Sequence, residues 1–300
     1  MRGEGKPQRT RLPEWLKVRF RANGSHSVVA ETLRDLRLNT VCSGALCPNM
    51  GECFCSGTAT FLIMGNSCTR NCKFCAIDHN SHPALPEADE PERLAEAAAR
   101  LKLDYVVITS VTRDDLADGG AGCFAAAVEE LHRKIPGVGV EVLTPDFNGD
   151  REAISTVLSA GPTVFNHNIE TVERLSSQIR NRATYRKSLE VLRIAHDIGG
   201  AIPVKSGIML GLGEKSEEVV QSLKDLREVG VSIVTIGQYL PPSAQHWQLD
   251  RFVTPEEFEQ FGEIARQLGF SAVASSPLVR SSYRAGELHS FRVSLKTGLR

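Results

Sequence analysis

The sequence predicts an α/β fold in which helices cover a parallel sheet. Continuous apolar runs, which are typical of buried parallel strands, recur at intervals of about 25–45 residues. Between them lie segments whose apolar residues repeat with a helical period. The composition is that of an ordinary globular protein, with 41% hydrophobic and 24% charged residues, and 300 residues can bury a sizeable core.

Six strand–helix units follow one another along the chain. The predicted strands cover residues 58–65, 105–111, 138–144, 163–170, 202–211 and 232–240. The predicted helical segments cover residues 91–102, 123–135, 150–161, 171–181 with 188–200, 216–230 and 255–269. Parallel strands joined by right-handed helical crossovers produce this alternation.

Two closures fit such units, an open doubly wound sheet or a barrel smaller than the eight-stranded one. The first strand is followed by a cysteine loop at residues 66–75, not by the G-x-G-x-x-G turn of a dinucleotide-binding sheet. In either closure this loop lies at the carboxyl ends of the strands, where reacting groups gather. We therefore expect an N-terminal extension (1–56), a barrel unit (57–275) and a C-terminal extension (276–300).

Seven of the eight cysteines lie between Cys42 and Cys75. Disulfide frameworks are typical of small secreted chains, whereas this chain is long and shows no signal-peptide pattern, so cluster or metal ligation is favoured. Cys68, Cys72 and Cys75 form C-x3-C-x2-C. Three thiolates on one tight loop suit three irons of a [4Fe-4S] cluster and leave the fourth iron open.

A second triplet, Cys42, Cys47 and Cys53, is spaced C-x4-C-x5-C. Zinc, the alternative for both triplets, prefers four ligands in paired C-x2-C knuckles, and neither triplet has that form. Two iron–sulfur clusters are therefore favoured. Cys55 competes with Cys53 as a ligand, although the spacing favours Cys53, and Cys123 on an apolar helix face is expected to be a core residue.

Several motifs in order resemble one enzyme family. "CTRNCKFC" is similar to the CxxxCxΦC signature of radical S-adenosylmethionine enzymes. "CSGALCPNMGEC" resembles the auxiliary-cluster motif of lipoyl synthases, and "VRSSYRAGE" resembles their RSSY motif. Three further segments also resemble that family, so the resemblance runs from about Leu12 to Glu287; they are "ITSVTRDDLADGGA", "FNHNIETV" and "KSGIMLGLGE".

The resemblance implies a partial (β/α)6 barrel of the radical SAM type with N- and C-terminal extensions and two [4Fe-4S] clusters. The cluster on the loop cysteines would bind S-adenosylmethionine at its open iron, and its reduction would yield a 5'-deoxyadenosyl radical. The cluster on Cys42, Cys47 and Cys53 would be the sulfur source. The implied reaction inserts two sulfurs, at C6 and C8 of a protein-bound octanoyl chain.

The resemblance also assigns a serine as the fourth ligand of the auxiliary cluster. Motif alignment gives Ser282, directly before Tyr283, with Ser281 as the near alternative. A hard alkoxide matches a soft iron–sulfur centre poorly, so this iron would be released more easily once sulfide has been given away. A serine pair that only caps a turn is the other interpretation.

Other predicted contacts concern S-adenosylmethionine. Thr109 and Ser110 end the second predicted strand, where this superfamily usually meets the methionyl amino group. Asn168 and Glu170 are candidates for hydrogen bonds to the same cofactor, or else a helix cap with an acid in the first turn. Gly211 would let backbone approach adenine, although glycines also simply make turns. We expect the remaining candidates, His79, His82 and His167, to be structural, because hydrogen-atom abstraction needs no general base.

The charge pattern bears on location and partners. The formal net charge is -1, so a nucleic-acid partner is not expected, and no apolar run suggests a membrane span. The first 25 residues form a basic arm, either solvated or a contact for an acidic partner. We expect a cytoplasmic protein. The resemblance implies octanoylated carrier domains as substrates, in 2-oxoacid dehydrogenase E2 subunits and the glycine cleavage H protein, and a reductant such as ferredoxin or flavodoxin.

Two other functions stay open on the sequence alone. The chain fits another radical sulfur-inserting enzyme that acts on a free small molecule, in the manner of biotin synthase. It also fits a non-catalytic iron–sulfur or zinc protein.

Overall fold

The computed structural model describes residues 11–17, 24–41, 60–180, 182–282 and 285–288. Its strands are β1 (Asn39–Thr40), β2 (Thr60–Ile63), β3 (Ser67–Cys68), β4 (Asp78–His79), β5 (Tyr105–Ser110), β6 (Gly139–Leu143), β7 (Val164–Asn166), β8 (Val204–Leu210), β9 (Ile233–Gln238) and β10 (Ala272–Ser275). Eight of them form one sheet in the order β1-β2-β5-β6-β7-β8-β9-β10, while β3 and β4 pair separately. Among the described strands of the main sheet, β1 and β2 pair antiparallel and the other neighbours pair parallel.

Helices fill the connections, as the sequence predicts. They are α1 (Gly24–Asp35), α2 (Glu90–Arg100), α3 (Ala121–Lys134), α4 (Arg151–Ser159), α5 (Glu173–Ile179), α6 (Tyr185–Ile198), α7 (Ser216–Glu228) and α8 (Pro255–Gln267). The fourth connection holds two helices because the chain becomes extended at Arg180 and a new cap follows. Thr184 provides that cap, since its side chain accepts a hydrogen bond from the Lys187 N–H at 3.2 Å.

The predicted α/β class with a partial barrel is confirmed, and the main sheet has eight strands where the sequence predicts six. β10 adds a further parallel strand beside β9, from the Ala272–Ile233 pair to the Ser275–Ile236 pair. β1 adds a short antiparallel edge beside β2. Within the described ranges no ladder joins β10 to the opposite edge, so the barrel is open there.

Polar side chains from four strands meet on one face of the sheet, here called the inner face. Glu141 on β6 accepts hydrogen bonds from Lys205 on β8 at 2.8 and 3.0 Å and from Asn166 on β7 at 2.9 Å. Tyr105 on β5 donates to the same carboxylate at 3.3 Å. These contacts reach across intervening strands, so the inner face is concave.

The C-terminal segment runs along this inner face. The carbonyl group of Val279 lies directly against Gly237 of β9. Two residues later the Ser281 hydroxyl accepts a hydrogen bond from the Asn168 amide at 2.7 Å. Leu288 packs against the first residues of β7, β9 and β10. The segment therefore passes from the carboxyl ends of the strands toward their amino ends.

The opposite face of the sheet carries the apolar core under the helices. Val106 and Ile108 of β5 and Val140 and Val142 of β6 are fully buried there. Among the residues that the structure describes, no helix has both the length and the apolar character needed to cross a bilayer.

Candidate functional site

A cavity opens at the carboxyl ends of the parallel strands. The cysteine loop after β2 forms one wall, and the ends of β5 and β6 with the segment after β7 form the others. The predicted site residues that line it are Cys68, Cys72, Cys75, Thr109, Ser110, Asn168 and Glu170. Residues far apart in the sequence thus meet around one space, as expected of the strand ends of a barrel.

Backbone hydrogen bonds fix the cysteine loop from three sides. The Thr69 N–H donates to the Thr112 carbonyl just after β5 at 3.0 Å. The Lys73 N–H donates to the Ile179 carbonyl at the end of α5 at 2.9 Å, and the Lys73 carbonyl accepts from the Trp247 N–H at 2.8 Å. The loop is therefore held by elements that do not depend on a bound group.

The three loop cysteines form no disulfide with any described residue and lie in a partly buried environment. Cys68 Sγ accepts backbone N–H groups from Arg70 at 3.4 Å and Thr112 at 3.3 Å. Burial, with smaller contributions from Cys72 and Cys68, raises the pKa of Cys75 to about 11. The two N–H groups that Cys68 Sγ accepts suit a thiolate ligand, because they stabilise its negative charge.

No binding site for a single metal ion is present among the residues that the structure describes. In the described ranges, no group of three His, Cys, Asp or Glu side chains converges closely enough to bind one metal ion. Cys123 lies elsewhere, packed against the core beside Ile63 and Glu90, which confirms the expectation of a core residue.

The two residues that end β5 differ in what their hydroxyl groups do. The Thr109 hydroxyl donates to the Leu143 carbonyl at 2.9 Å, which ties β5 to β6. The buried Ser110 hydroxyl has no partner among the described residues. Because buried polar groups are almost always paired, Ser110 is the better candidate for a contact to a bound molecule.

Asn168 and Glu170 lie after β7 and precede α5 by several residues, so they do not cap that helix. The Asn168 Oδ1 atom is buried and unpartnered within the described part of the chain, while its amide nitrogen binds Ser281. Glu170 has a left-handed backbone, with φ 65°, and its N–H and C=O pair with Gly207 and Met209 of β8. Burial raises the pKa of Glu170, and the charge of Arg180 partly opposes this.

His167 also lines the cavity, and its bonds identify it as structural. Its Nδ1 atom lies 2.9 Å from the Thr144 carbonyl and its Nε2 atom 2.9 Å from the Ser188 hydroxyl. Ser188 in turn accepts from Arg180 at 2.8 Å, so its proton points to Nε2. Burial, together with the Arg180 charge, lowers the pKa of His167 to about 4. The ring is therefore neutral, with its proton on Nδ1.

The other two predicted structural histidines lie near the cysteine loop. His79 Nδ1 lies 3.2 Å from the Cys68 carbonyl, and the His82 N–H donates to Asn80 at 2.9 Å. His246, which the sequence analysis does not single out, places Nε2 3.1 Å from the Cys75 carbonyl.

Gly211 does not line this cavity. Its φ of 96° requires glycine, and an added Cβ would overlap the Gln238 side chain. Its N–H donates to the Glu214 carboxylate at 2.6 Å, and the Leu212 N–H donates to the same group at 2.8 Å. The turn after β8 is enough to explain the positive φ of Gly211. The predicted contact between Gly211 and adenine stays a prediction.

One feature of the site is not predictable from the sequence, the side chain of Arg70 inside the cysteine loop. This guanidinium is buried and binds the carboxylates of Asp114 and Asp146, at 2.7–2.8 Å, and Asn148 at 3.1 Å. Its partners lie 44 to 78 residues away along the chain. No local pattern signals such a contact.

Some predicted site residues lie outside the part of the chain that is described. They are Cys42, Cys47, Cys53, Cys55 and Tyr283. Ser282 is described and lies half-buried in a turn.

Comparison with known proteins gives a consistent result. The family model described as the radical SAM superfamily matches residues 62–226. The chain is 55% identical over 275 residues to the lipoyl synthase of Caldanaerobacter subterraneus subsp. tengcongensis, covering 92% of this chain and 96% of the relative. It is 52% identical over 288 residues to the lipoyl synthase of Pyrobaculum arsenaticum, covering 95% and 97%.

Solved structures with low identity share the fold. A methylornithine synthase matches with a TM-score of 0.56 at 15% identity, covering 82% of this chain and 68% of that one. HydG, a maturase of the [FeFe]-hydrogenase, matches with a TM-score of 0.58 at 14% identity, covering 71% and 50%. At these identities the likeness concerns the fold alone.

Proposed function

Because the chain belongs to the lipoyl synthase family of the radical SAM superfamily, we propose that it inserts two sulfur atoms, at C6 and C8 of a protein-bound octanoyl-lysine chain. The observation that carries this proposal is the cavity in which three loop thiols face unpartnered polar atoms of the strand ends.

The donor set fits the two cofactors of the superfamily. Cys68, Cys72 and Cys75 would hold a [4Fe-4S] cluster, and Ser110 Oγ and Asn168 Oδ1 are free to bind polar groups of S-adenosylmethionine. When bound, the two together supply the 5'-deoxyadenosyl radical that abstracts hydrogen. The chain's own part is to hold and orient these groups.

The remaining cavity wall is suited to excluding water. Its apolar lining comes from the cysteine loop and from three strands or their ends, and includes Leu62, Phe74, Ile77, Val111 and Leu143. An alkyl chain binds well against such a surface, and a reactive carbon radical is protected there from side reactions.

The sulfur donor is assigned to the N-terminal triplet. Cys42, Cys47 and Cys53 would hold a second [4Fe-4S] cluster, which acts as a substrate because its sulfide is consumed. Ser282 is proposed as its fourth ligand. The hydroxyl of Ser281 already accepts the 2.7 Å hydrogen bond from Asn168, which favours Ser282 over its neighbour.

The partners follow from the same assignment. The substrate is an octanoylated carrier domain, of a 2-oxoacid dehydrogenase E2 subunit or the glycine cleavage H protein. The electron donor is a small reductant such as ferredoxin or flavodoxin, and the reaction takes place in the cytoplasm. The basic N-terminal arm carries positive charge that suits acidic carrier domains.

One assay tests both cluster assignments. The reconstituted chain is incubated anaerobically with an octanoylated carrier domain, S-adenosylmethionine and dithionite, and 5'-deoxyadenosine and carrier mass are measured. The native chain should add two sulfurs to the carrier for two hydrogens lost. Cys68→Ala should abolish both products, whereas Ser282→Ala should keep deoxyadenosine and lose sulfur insertion.

Ser281→Ala is the matched control for Ser282→Ala. An unchanged carrier mass with the native chain rejects the proposed reaction. Equal loss of deoxyadenosine and sulfur insertion in Ser282→Ala rejects Ser282 as the auxiliary ligand. If free octanoate gains sulfur and the carrier does not, the enzyme acts on a small molecule as biotin synthase does.

A further inference from the structure

Arg70 has a position that the proposed reaction leaves unexplained. It lies between two cysteines of the loop, yet its side chain is only 3% exposed and points away from solvent into a pair of carboxylates. Burying a guanidinium is costly unless the charge is paired and hydrogen-bonded, as it is here. These contacts indicate that Arg70 has a role in the site beyond filling space beside the loop.

The guanidinium joins the cysteine loop to two strand ends at once. Nε and Nη2 bind Asp114, which follows β5, at 2.8 and 2.7 Å. Nη1 and Nη2 bind Asp146, which follows β6, both at 2.8 Å. Asn148 accepts a further bond from Nη2 at 3.1 Å. The planar five-donor fork of arginine makes this set of contacts possible, and a lysine cannot reproduce it.

Both carboxylates are ionised at neutral pH. The hydrogen bond from Arg70 lowers the pKa of Asp114. Burial raises the pKa of Asp146, but the bonds and charge of Arg70 outweigh it and hold that pKa below its usual value. One cation thus faces two anions, so the contact is charge-assisted throughout.

The same two segments carry the amide donors to a cluster ligand. Cys68 Sγ accepts the N–H of Arg70 itself and the N–H of Thr112, which lies two residues before Asp114. Thr69 adds a second link between the segments, since its Oγ1 accepts the Asp114 N–H at 3.0 Å. Any change that separates the loop from the segment after β5 therefore removes hydrogen bonds from the sulfur.

We propose that Arg70, with Asp114 and Asp146, is a positioning residue that fixes both amide donors on Cys68 Sγ and thereby sets the reduction potential of the cluster on the loop. The inference rests on the proposed function, because it needs that cluster. Hydrogen bonds to the sulfurs stabilise the reduced, more negative state and raise the potential. Without the contacts of Arg70 to Asp114 and Asp146, the reduction potential of the loop cluster is more negative, and the cluster is harder to reduce.

The test is a reduction-potential titration of the full chain with its clusters, followed by electron paramagnetic resonance. The signal that changes on addition of S-adenosylmethionine belongs to the loop cluster. Arg70→Lys keeps the charge and loses the fork, whereas Arg70→Met loses both. Both variants should shift the midpoint potential of this signal to more negative values, with the larger shift in Arg70→Met.

A second readout follows the hydrogen bonds themselves. After exchange into deuterated water, pulsed measurements detect deuterons close to the reduced cluster, and their coupling should weaken in Arg70→Lys. This measurement also decides the matter if Arg70→Met fails to take up a cluster. The control is Arg93→Lys, which changes a largely buried arginine of α2 that pairs with Asp89 at 3.1 Å, away from both the cysteine loop and the segment after β5.

The outcomes separate the possibilities. A native potential in Arg70→Lys with a shifted one in Arg70→Met shows that charge alone matters, and it overturns positioning. Equal shifts in Arg70→Lys and Arg93→Lys also overturn it, since general loosening of the structure then accounts for the effect. A signal responsive to S-adenosylmethionine that survives Cys68→Ala instead contradicts the cluster assignment of the proposed function.

Discussion

The imidazole of His167 shows how a polar residue in the cavity wall is kept out of the chemistry. Both ring nitrogens are engaged, and burial with the nearby Arg180 holds its pKa at about 4. The unfolded chain protonates this ring near pH 6.5. Because the unfolded state binds more protons between these values, the contribution to stability is complete above pH 6.5 and is lost as pH falls toward 4.

This gives a measurable pH dependence. Between pH 7 and pH 5 the native chain should lose about 2 kcal/mol of unfolding free energy through His167. The variant His167→Asn should lack that loss, while His132→Gln on α3 should keep it. Denaturant titrations of the cluster-free chain at the two pH values measure the difference. An identical pH slope in the native chain and His167→Asn contradicts the assignment.

Individual residues were predictable where a local pattern carries the chemistry. The cysteine spacing and the positions of Ser110, Asn168 and Glu170 at strand ends were enough to predict that they share one site, and they line one cavity. Arg70 was not predictable, because its role depends on carboxylates that follow two other strands. Gly211 does not line the cavity and its contact with adenine stays a prediction, because a glycine required by a turn looks the same in sequence as one that contacts a ligand.

At the scale of elements, the inner face of the sheet depends on glycines that admit the C-terminal segment. A Cβ at Gly237 would overlap the carbonyl oxygen of Val279, and one at Gly207 would lie 2.8 Å from Asn168 Oδ1 and 3.1 Å from Ser281 Oγ. Neither glycine has a positive φ, so the requirement is space alone. The close approach to Gly207 and Gly237 holds the segment with Ser281 and Ser282 in place.

Gly237→Ala should therefore displace the segment and leave the sheet intact. We expect sulfur insertion to fall by at least about tenfold, with deoxyadenosine formation retained. Limited proteolysis should cut the segment faster than in the native chain. Gly122→Ala on α3, where the added Cβ meets only a carboxylate oxygen of Asp118, is the control. Unchanged sulfur insertion in Gly237→Ala contradicts the role of this fit.

The polar cluster on the inner face joins four strands through one carboxylate. Glu141 accepts from Lys205, Asn166 and Tyr105, and both members of the Lys205 pair are 1% exposed. Breaking a buried pair leaves an uncompensated charge, so Lys205→Met should cost about 3–5 kcal/mol of unfolding free energy. Glu141→Leu should cost more, because three donors lose their acceptor.

Denaturant unfolding measures both variants against a surface pair. Glu218→Gln, which removes the exposed bridge to Arg174, should cost less than about 1 kcal/mol. A smaller loss in Glu141→Leu than in Lys205→Met would contradict the account of the cluster.

The elements that sequence predicts well are those with a long, clean period. All six predicted strands and the helices between them are present, because continuous apolar runs and helical repeats each span several residues. β1 and β10 were missed for the opposite reason. β1 contains only two residues, and β10 has Val273 as its one large apolar residue, so neither carries a continuous apolar run. Pairing with a neighbour, not a sequence pattern, makes them strands.

At the scale of the whole molecule, the partial barrel separates two tasks. The carboxyl ends of the strands hold the cavity with the loop thiols, while the open inner face receives the C-terminal segment that carries Ser282. Membership of the lipoyl synthase family was predictable from the ordered motifs and is confirmed by relatives that match over nearly the whole chain. The boundaries of the two extensions stay predictions.

The central claim is that one chain both generates the radical and gives up its own sulfur. The clusters of the chain are reconstituted with sulfide enriched in a heavy sulfur isotope. The chain then carries out one turnover on an octanoylated carrier, in a medium that contains no heavy sulfide. Mass spectrometry of the carrier then reads the origin of each sulfur. We predict a product with both sulfurs heavy, and a product with ordinary sulfur at either position would contradict the claim.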